Sequence, residues 1–147
     1  MLEKIPLSDP PSSAELSDQT RAVDELIETA LHPRITPLLI PLREPVQLVG
    51  TGGTSTILAR MEQQLDHFDR ALIERTSLSH ETVQRQNRRL WSLPLHERRN
   101  ITGLPPNRAD VILPGVLIFE RVMSAFLFGS LRVSTRGIRF AALMDEE

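Results

Sequence analysis

The stretch VGTGGTSTILA, residues 49–59, places three of the seven glycines of the chain within four residues. An apolar run enters these glycines and another leaves them, an order that predicts a strand, a tight loop and a helix. Glycine allows close approach to a ligand, and a helix beginning near Thr54 presents unpaired amides and the positive end of its dipole. The loop is therefore a candidate site for an anion or a nucleotide. The alternative is a tight turn whose only cap is Thr54 or Ser55.

Neither of the two common phosphate-binding motifs is present in this loop. A Walker loop requires a lysine after its second glycine, and Thr54 follows Gly53 here. A dinucleotide fingerprint requires a third glycine at position 55, which is a serine. The residues of the loop thus indicate only generic anion chemistry.

Length and composition predict one soluble domain of 147 residues. Hydrophobic residues make up 40% of the chain, enough for an ordered core. The absence of cysteine excludes disulfides and cysteine-ligated zinc and favours a reducing compartment. The N-terminus resembles no signal peptide, and no run approaches the roughly 18 apolar residues of a membrane span. We therefore expect a cytoplasmic protein with no membrane contact.

Arginine is concentrated in residues 85–108, which hold six arginines and the single acid Glu97. Arginine suits bidentate recognition of phosphate or carboxylate, although a solvated helix face has the same composition. Aromatic residues make up only 4% of the chain and tyrosine is absent, which offers few platforms for base stacking. A nucleic-acid partner is therefore not expected.

No catalytic or metal-ligating set is predicted within this chain. The histidines, at positions 32, 67, 80 and 96, have no metal-ligand spacing. A nucleophilic role for Thr54 or Ser55 lacks a base placed beside it. Trp91 is predicted to lie in the core or an interface, and Asp66, His67 and Asp69 in an exposed polar turn.

Caps and periodicity predict a helix-rich α/β fold. Ser12 and Glu15 form a capping box for a helix that should end near His32, before Pro33, and residues 34–44 should be irregular or form short helical turns. The other predicted elements are a strand at Val46–Val49, a helix at Thr54–Leu65, a helix from Ser79 to Leu93, a short helix from Pro94 with Gly103 as its stop, a strand at 130–134 and a closing helix at 137–143.

The most apolar segment predicts a long central helix. Asn107 is the expected N-cap and Phe128 the expected end. Pro114 and Gly115 should kink or break this helix.

Four blocks together resemble the second half of the exopolyphosphatase and guanosine pentaphosphate phosphatase (Ppx/GppA) family. They are DPPSSAEL at 9–16, VGTGGTSTILA at 49–59, HERRNITGLPPNRADVILPGVLIFERVM at 96–123 and LRVSTRGIR at 131–139. The resemblance implies an actin-like (ribonuclease-H-like) fold, in which two domains face a cleft that binds phosphates. It also implies release of terminal phosphate from inorganic polyphosphate or guanosine pentaphosphate, with Mg²⁺ expected for the full enzyme and none bound by this chain alone.

The resemblance also assigns residues. Gly50, Gly52, Gly53 and Thr54 would line the phosphate cleft, and Arg98 would contact a phosphate or form a structural ion pair. From the residues themselves, Arg108 and Asp110 are interpreted as a network at the start of a helix, with direct ligand contact as the alternative.

The chain departs from the family pattern in two respects. The phosphate loops of the first domain and its catalytic glutamate find no counterpart, so no residue here is assigned a catalytic role. At the other end, Ala141 replaces the final glycine of the last block. We therefore expect a linker-like segment at 1–13, and at 14–147 the second domain of a phosphohydrolase whose first domain is absent.

The alternative is a stand-alone, non-catalytic module for binding or dimerisation. An unpaired sheet edge, or a central helix that leaves Phe119, Phe126 and Phe128 exposed, would favour a homodimer. A monomer in which residues 34–45 cover the gap is the competing expectation.

Overall fold

The computed structural model describes residues 7–42 and 44–137. The predicted helix-rich α/β architecture is confirmed. The α-helices of this part of the chain are α1 (Ser13–Leu26), α2 (His32–Leu39), α3 (Gly53–Glu62), α4 (Arg70–Arg75), α5 (His80–Ser92), α6 (Leu95–Arg98) and α7 (Ile112–Ala125). The strands are β1 (Leu48–Thr51), β2 (Ser77–Ser79) and β3 (Ser130–Ser134).

The three strands form one mixed sheet in the order β1-β3-β2. β1 runs parallel to β3, with Gly50 opposite Val133, and β2 runs antiparallel to β3, with Leu78 opposite Leu131. These four residues are buried, whereas their neighbours along each strand face outward, so one face of the sheet packs on the core. The strand predicted at 130–134 is confirmed, and the first strand begins two residues later than predicted. β2 was not predicted.

The helix that begins at Ser13 does not end before Pro33, and this prediction was wrong. A π-helical segment, Ile27–Leu31, joins α1 to α2, and the His32 amide donates to the Ile27 carbonyl. Proline has no amide hydrogen and its ring crowds the preceding turn. The wider π turn gives that ring more room. Residues 34–39, predicted to be irregular or to form short helical turns, are consequently part of the helix α2.

The central apolar helix is α7, but its predicted limits were wrong. Asn107 lies in a 3₁₀ turn, Pro106–Arg108, and α7 begins only at Ile112 and ends at Ala125. Pro114 is therefore the third residue of the helix, where a backbone amide has no acceptor within the helix. For that reason Pro114 does not break α7, which continues to Ala125. The helix packs against both α5 and α1.

The phenylalanines predicted to be exposed are instead partly buried against the core. The Phe126 ring packs on the His32 ring with a centroid distance of 4.6 Å. Trp91 is only 3% exposed, which confirms its predicted place in the core. The predicted closing helix lies, apart from its first residue, outside the described residues.

Contacts of Asp9 and Ser12 anchor the N-terminal segment to the domain. The capping box of Ser12 and Glu15 is present as predicted. Further back, an Asp9 carboxylate oxygen accepts a hydrogen bond of 2.6 Å from the Leu95 amide, at the first residue of α6. Residues 7–12 are thus fixed against a helix that lies far away in sequence.

Candidate functional site

The loop between β1 and α3 owes its shape to one glycine. Gly52, the N-cap of α3, has φ 89° and ψ −170°, a conformation available almost only to glycine. The hydroxyls of Ser55 and Thr56 donate to the Gly52 carbonyl at 3.2 and 2.9 Å. Neither Thr54 nor Ser55 acts as the cap expected for a simple turn, and no side chain of the described residues caps this end. The first amides of α3 remain available to an anion.

The other two glycines of the loop lie in different environments. A β-carbon at Gly50 would lie 2.9 Å from both Leu131 Cδ1 and Ser55 Cβ. The interior therefore requires glycine at position 50 for packing. A β-carbon at Gly53 would meet no atom within 4 Å, so the backbone at this position is open to approach from outside.

An open cavity of about 180 Å³ lies beside the start of α3. Gly53 and Thr54 form one side of it, together with Ile57 from the next turn of α3. Arg108 lies at the same cavity, with Val111 and Ile112 from the start of α7. Two residues predicted to line the phosphate cleft are thus brought together with an arginine that was assigned another role.

Arg108 is exposed, and its side chain forms no ion pair or hydrogen bond with the described part of the chain. The loop that carries it lies against α3 at Gly103, where φ is 89° and a β-carbon would lie 2.5 Å from the backbone of Arg60. Gly103 therefore serves contact with α3 rather than ending the preceding helix, because α6 already ends at Arg98. Sequence reasoning favoured a network at the start of a helix for Arg108 over direct ligand contact, and the structure places this residue at the cavity.

Arg98 lies in the interior, 5% exposed, and does not line the cavity. Its Nη1 donates to the Leu90 carbonyl at 3.5 Å, and its Nη2 lies 3.8 Å from an Asp9 carboxylate oxygen. Burial lowers the pKa of the guanidinium, and the charges of Asp9 and Asp110 oppose that shift. This geometry favours the structural ion pair over a phosphate contact.

A second polar cluster joins α5 to α7 around His80. Its Nε2 lies 3.5 Å from the Ser124 hydroxyl and 3.6 Å from a Glu120 carboxylate oxygen. A Ser-His-acid triad requires the hydroxyl and the carboxylate on opposite ring nitrogens. Because both groups here approach the same nitrogen, the cluster lacks the arrangement of a nucleophilic hydrolase.

Within the described ranges, no three histidine or acidic side chains converge to hold a metal ion. The same residues include no helix with the length and apolar character needed to cross a bilayer.

Comparison with known proteins identifies the lineage of the chain. The model of the Ppx/GppA phosphatase family matches residues 1–147. Exopolyphosphatase 2 of Mycobacterium tuberculosis is 30% identical over 122 residues, which cover 83% of this chain and 36% of that protein. The chain thus spans little more than a third of the length of the curated relatives it matches.

Solved structures agree with this match. The crystal structure of the Aquifex aeolicus Ppx/GppA family member superposes with a TM-score of 0.79 at 25% identity, over 95% of this chain and 42% of that one. An exopolyphosphatase from Cytophaga hutchinsonii, 24% identical, shares the fold with a TM-score of 0.68, over 89% of this chain and 41% of its own. The fold is therefore part of an actin-like architecture. The chain belongs to the Ppx/GppA phosphatase family.

Proposed function

We propose that this chain is one part of a phosphohydrolase that releases terminal phosphate from inorganic polyphosphate or guanosine pentaphosphate. In this proposal it contributes Gly53, Thr54 and Arg108 to the phosphate cleft, with Gly52 shaping the loop. The observation that carries the proposal is the shared cavity, which combines a helix N-terminus with an arginine whose side chain has no partner in the described chain.

Each of these groups suits a phosphate oxygen. The open backbone at Gly53 lets an oxygen approach the first amides of α3, where the helix dipole favours negative charge. The guanidinium of Arg108 offers two parallel donors and a fixed positive charge. Ligand binding and orientation are therefore the contribution that we assign to this chain.

The cleavage step is assigned to groups outside this chain. The described residues offer no activated nucleophile and no three-ligand metal site. We accordingly place the catalytic glutamate and the Mg²⁺ that the family resemblance implies with the remainder of the enzyme and its bound phosphates. On this basis the chain by itself, mixed with polyphosphate and Mg²⁺, releases no phosphate.

Calorimetric titration of the chain with tripolyphosphate tests the proposal. Arg108→Gln should weaken binding about ten-fold, the effect of one lost charge-assisted contact. Arg89→Gln is the matched control, because Arg89 is also exposed and its side chain has no partner in the described chain, but it does not line the cavity. Equal affinities of both variants and the parent would contradict the proposal.

Three further predictions from the sequence stay proposals. They are cytoplasmic location, homodimerisation and the absence of nucleic-acid binding. The stand-alone binding module remains the second candidate, since it requires the same cavity but no catalytic partner. Titration with guanosine pentaphosphate beside tripolyphosphate would show which ligand the chain prefers.

A further inference from the structure

A strongly basic surface lies on the outer side of α5. Arg85, Arg88 and Arg89 are all exposed and lie on the side of α5 that is opposite to its buried residues. Their spacings of three and four residues make their side chains neighbours on the helix surface. Arg99, exposed just after α6, carries a fourth guanidinium. We call these four residues the arginine face, and none of them lines the cavity.

The arginine face extends over two parts of the chain that meet at one end of α3. The turn that follows Arg99 returns to this helix, since a β-carbon at Gly103 would lie 2.5 Å from the backbone of Arg60. From α5, the Nη2 of Arg85 lies 2.8 Å from a carboxylate oxygen of Glu62, the last residue of α3. Arg99 and the arginines of α5 therefore border the same end of α3.

Most of the positive charge of the arginine face is not neutralised within the domain. Arg85 forms its ion pair with Glu62. The side chains of Arg88, Arg89 and Arg99 form no ion pair or hydrogen bond in the described part of the chain. An anionic ligand can therefore bind three guanidinium groups without first displacing an acid of the protein.

The other residues near the arginine face favour a phosphate chain over a nucleic acid. The indole of Trp91 is only 3% exposed, and residues 80–100 include no phenylalanine or tyrosine, so the face offers no ring on which a base could stack. The same residues include two acids. Glu81 lies in the first turn of α5, where the helix dipole favours an acid, and Glu97 lies 3.9 Å from His96.

We infer that the arginine face binds long-chain polyphosphate as a second anion site, separate from the cavity. Guanidinium groups form bidentate pairs with phosphate oxygens and are always charged in proteins. One exposed contact is weak by itself, but a flexible chain of phosphates can engage several arginines at once and gains from the high effective concentration of its neighbouring phosphates. The choice of ligand rests on the proposed function, although binding at the face does not require the cavity.

Affinity for the arginine face should therefore depend on the length of the phosphate chain. Tripolyphosphate has too few phosphates to engage several of these arginines, so its binding should report on the cavity alone. Arg89→Gln is neutral with that ligand for this reason. A long chain held at the face would stay on the domain after its terminal phosphate is removed.

Calorimetric titration of the chain with polyphosphate of several tens of units tests the inference. The face variant carries Arg88→Gln, Arg89→Gln and Arg99→Gln. The control variant removes the same charge from exposed arginines outside the face. Its substitutions are Arg34→Gln, Arg70→Gln and Arg75→Gln. Glutamine is a good helix former, and circular dichroism verifies that both variants are folded.

We expect the face variant to bind long-chain polyphosphate at least about ten-fold more weakly than the control variant, and to bind tripolyphosphate as the parent does. The plot of log affinity against log salt concentration should become less steep by about 2, the change expected for three lost contacts to a single phosphate strand. Equal affinities of the face and control variants for long-chain polyphosphate would overturn the inference, since net charge alone would then explain any loss.

Two further titrations separate this inference from the other possibilities. Arg108→Gln should weaken the binding of tripolyphosphate but leave the difference between the face and control variants unchanged. Undiminished binding of tripolyphosphate by Arg108→Gln would contradict the proposed function and not the arginine face. A DNA duplex that binds more tightly than polyphosphate, and whose binding is lost in the face variant, would assign the face to nucleic acid and overturn the inference.

Discussion

Gly115 of α7 lies so close to Thr54 of α3 that a β-carbon at position 115 would stand 2.5 Å from the threonine hydroxyl oxygen. The contact holds the first turn of α3 against the first turn of α7, the two elements that form the walls of the cavity. The position of Thr54 in the candidate site therefore depends on having a glycine, which has no side chain, at position 115 of α7.

Gly115→Ala should consequently disturb both stability and the site. The added methyl must push Thr54 or α7 aside, and overpacking of this kind costs about 1–3 kcal/mol. We expect a lower free energy of unfolding in urea and weaker binding of tripolyphosphate. Gly129→Ala is the control, because a β-carbon at Gly129 meets no atom within 4 Å. If the two variants had the same free energy of unfolding and the same affinity for tripolyphosphate, the two helices would be able to move apart without an energetic cost.

Gly50→Ala should destabilise the domain by about 1–3 kcal/mol. The added methyl would overlap Leu131 and Ser55 in the interior. Urea unfolding measures the effect, again beside Gly129→Ala. An unchanged midpoint would mean that the sheet shifts freely at this position and that packing does not explain the glycine.

Gly53→Val should leave the stability of the domain nearly unchanged but remove phosphate binding. A β-carbon at Gly53 meets no atom within 4 Å, so the free energy of unfolding should stay within about 0.5 kcal/mol of the parent. The branched side chain would nevertheless block approach to the first amides of α3. Calorimetry should show loss of tripolyphosphate binding with an unchanged circular dichroism spectrum. Undiminished binding would mean that the loop is only a turn.

Asp9→Ala should release the N-terminal segment from α6. The Leu95 amide loses its acceptor and the buried Arg98 loses its nearest carboxylate. Loss of a helix cap costs about 0.5–2 kcal/mol, measurable by urea unfolding. Asp18→Ala removes an exposed ion pair with Arg21 and should cost little. Equal costs for the two aspartate variants would contradict the anchoring role of Asp9.

Acid should weaken the domain through Glu15. Hydrogen bonds, the largest from the Ser8 hydroxyl, lower the pKa of this carboxyl from 4.5 to about 2. A group whose pKa is depressed in the folded state stabilises it above the unfolded value, and that contribution disappears as the pH falls from 4.5 towards 2. Urea midpoints between about pH 7 and 2 should therefore fall less steeply for Glu15→Gln than for the parent. Glu25→Gln, an exposed control, should follow the parent curve.

The features that sequence reasoning predicted correctly depend on neighbouring residues. The capping box of Ser12 and Glu15 is closed by residues three apart, and the Ser79 hydroxyl accepts from the Thr82 amide as an N-cap should. The strand at 130–134 alternates buried and exposed residues, a pattern visible in the chain itself.

The features that it missed depend on tertiary contacts. β2 has only three residues and its backbone pairs with β3, so no local pattern marks it. The helix passes Pro33 because the π-helical segment changes the local hydrogen bonding. Arg108 lies at the cavity because the loop before it packs on α3 at Gly103. No residue spacing in the sequence predicts this contact.

The order of the strands has a consequence for synthesis. β3 is the centre of the sheet, yet it is the last of the three strands to leave the ribosome. Among the described residues, β1 and β2 pair only with β3, so neither finds this partner until residues 130–134 have been made. Contacts between such distant segments form slowly, and unpaired strands in a nascent chain are prone to aggregation. A ribosome stalled before Ser130 would therefore carry helices but no sheet, and the protein depends on its final described strand to complete its core.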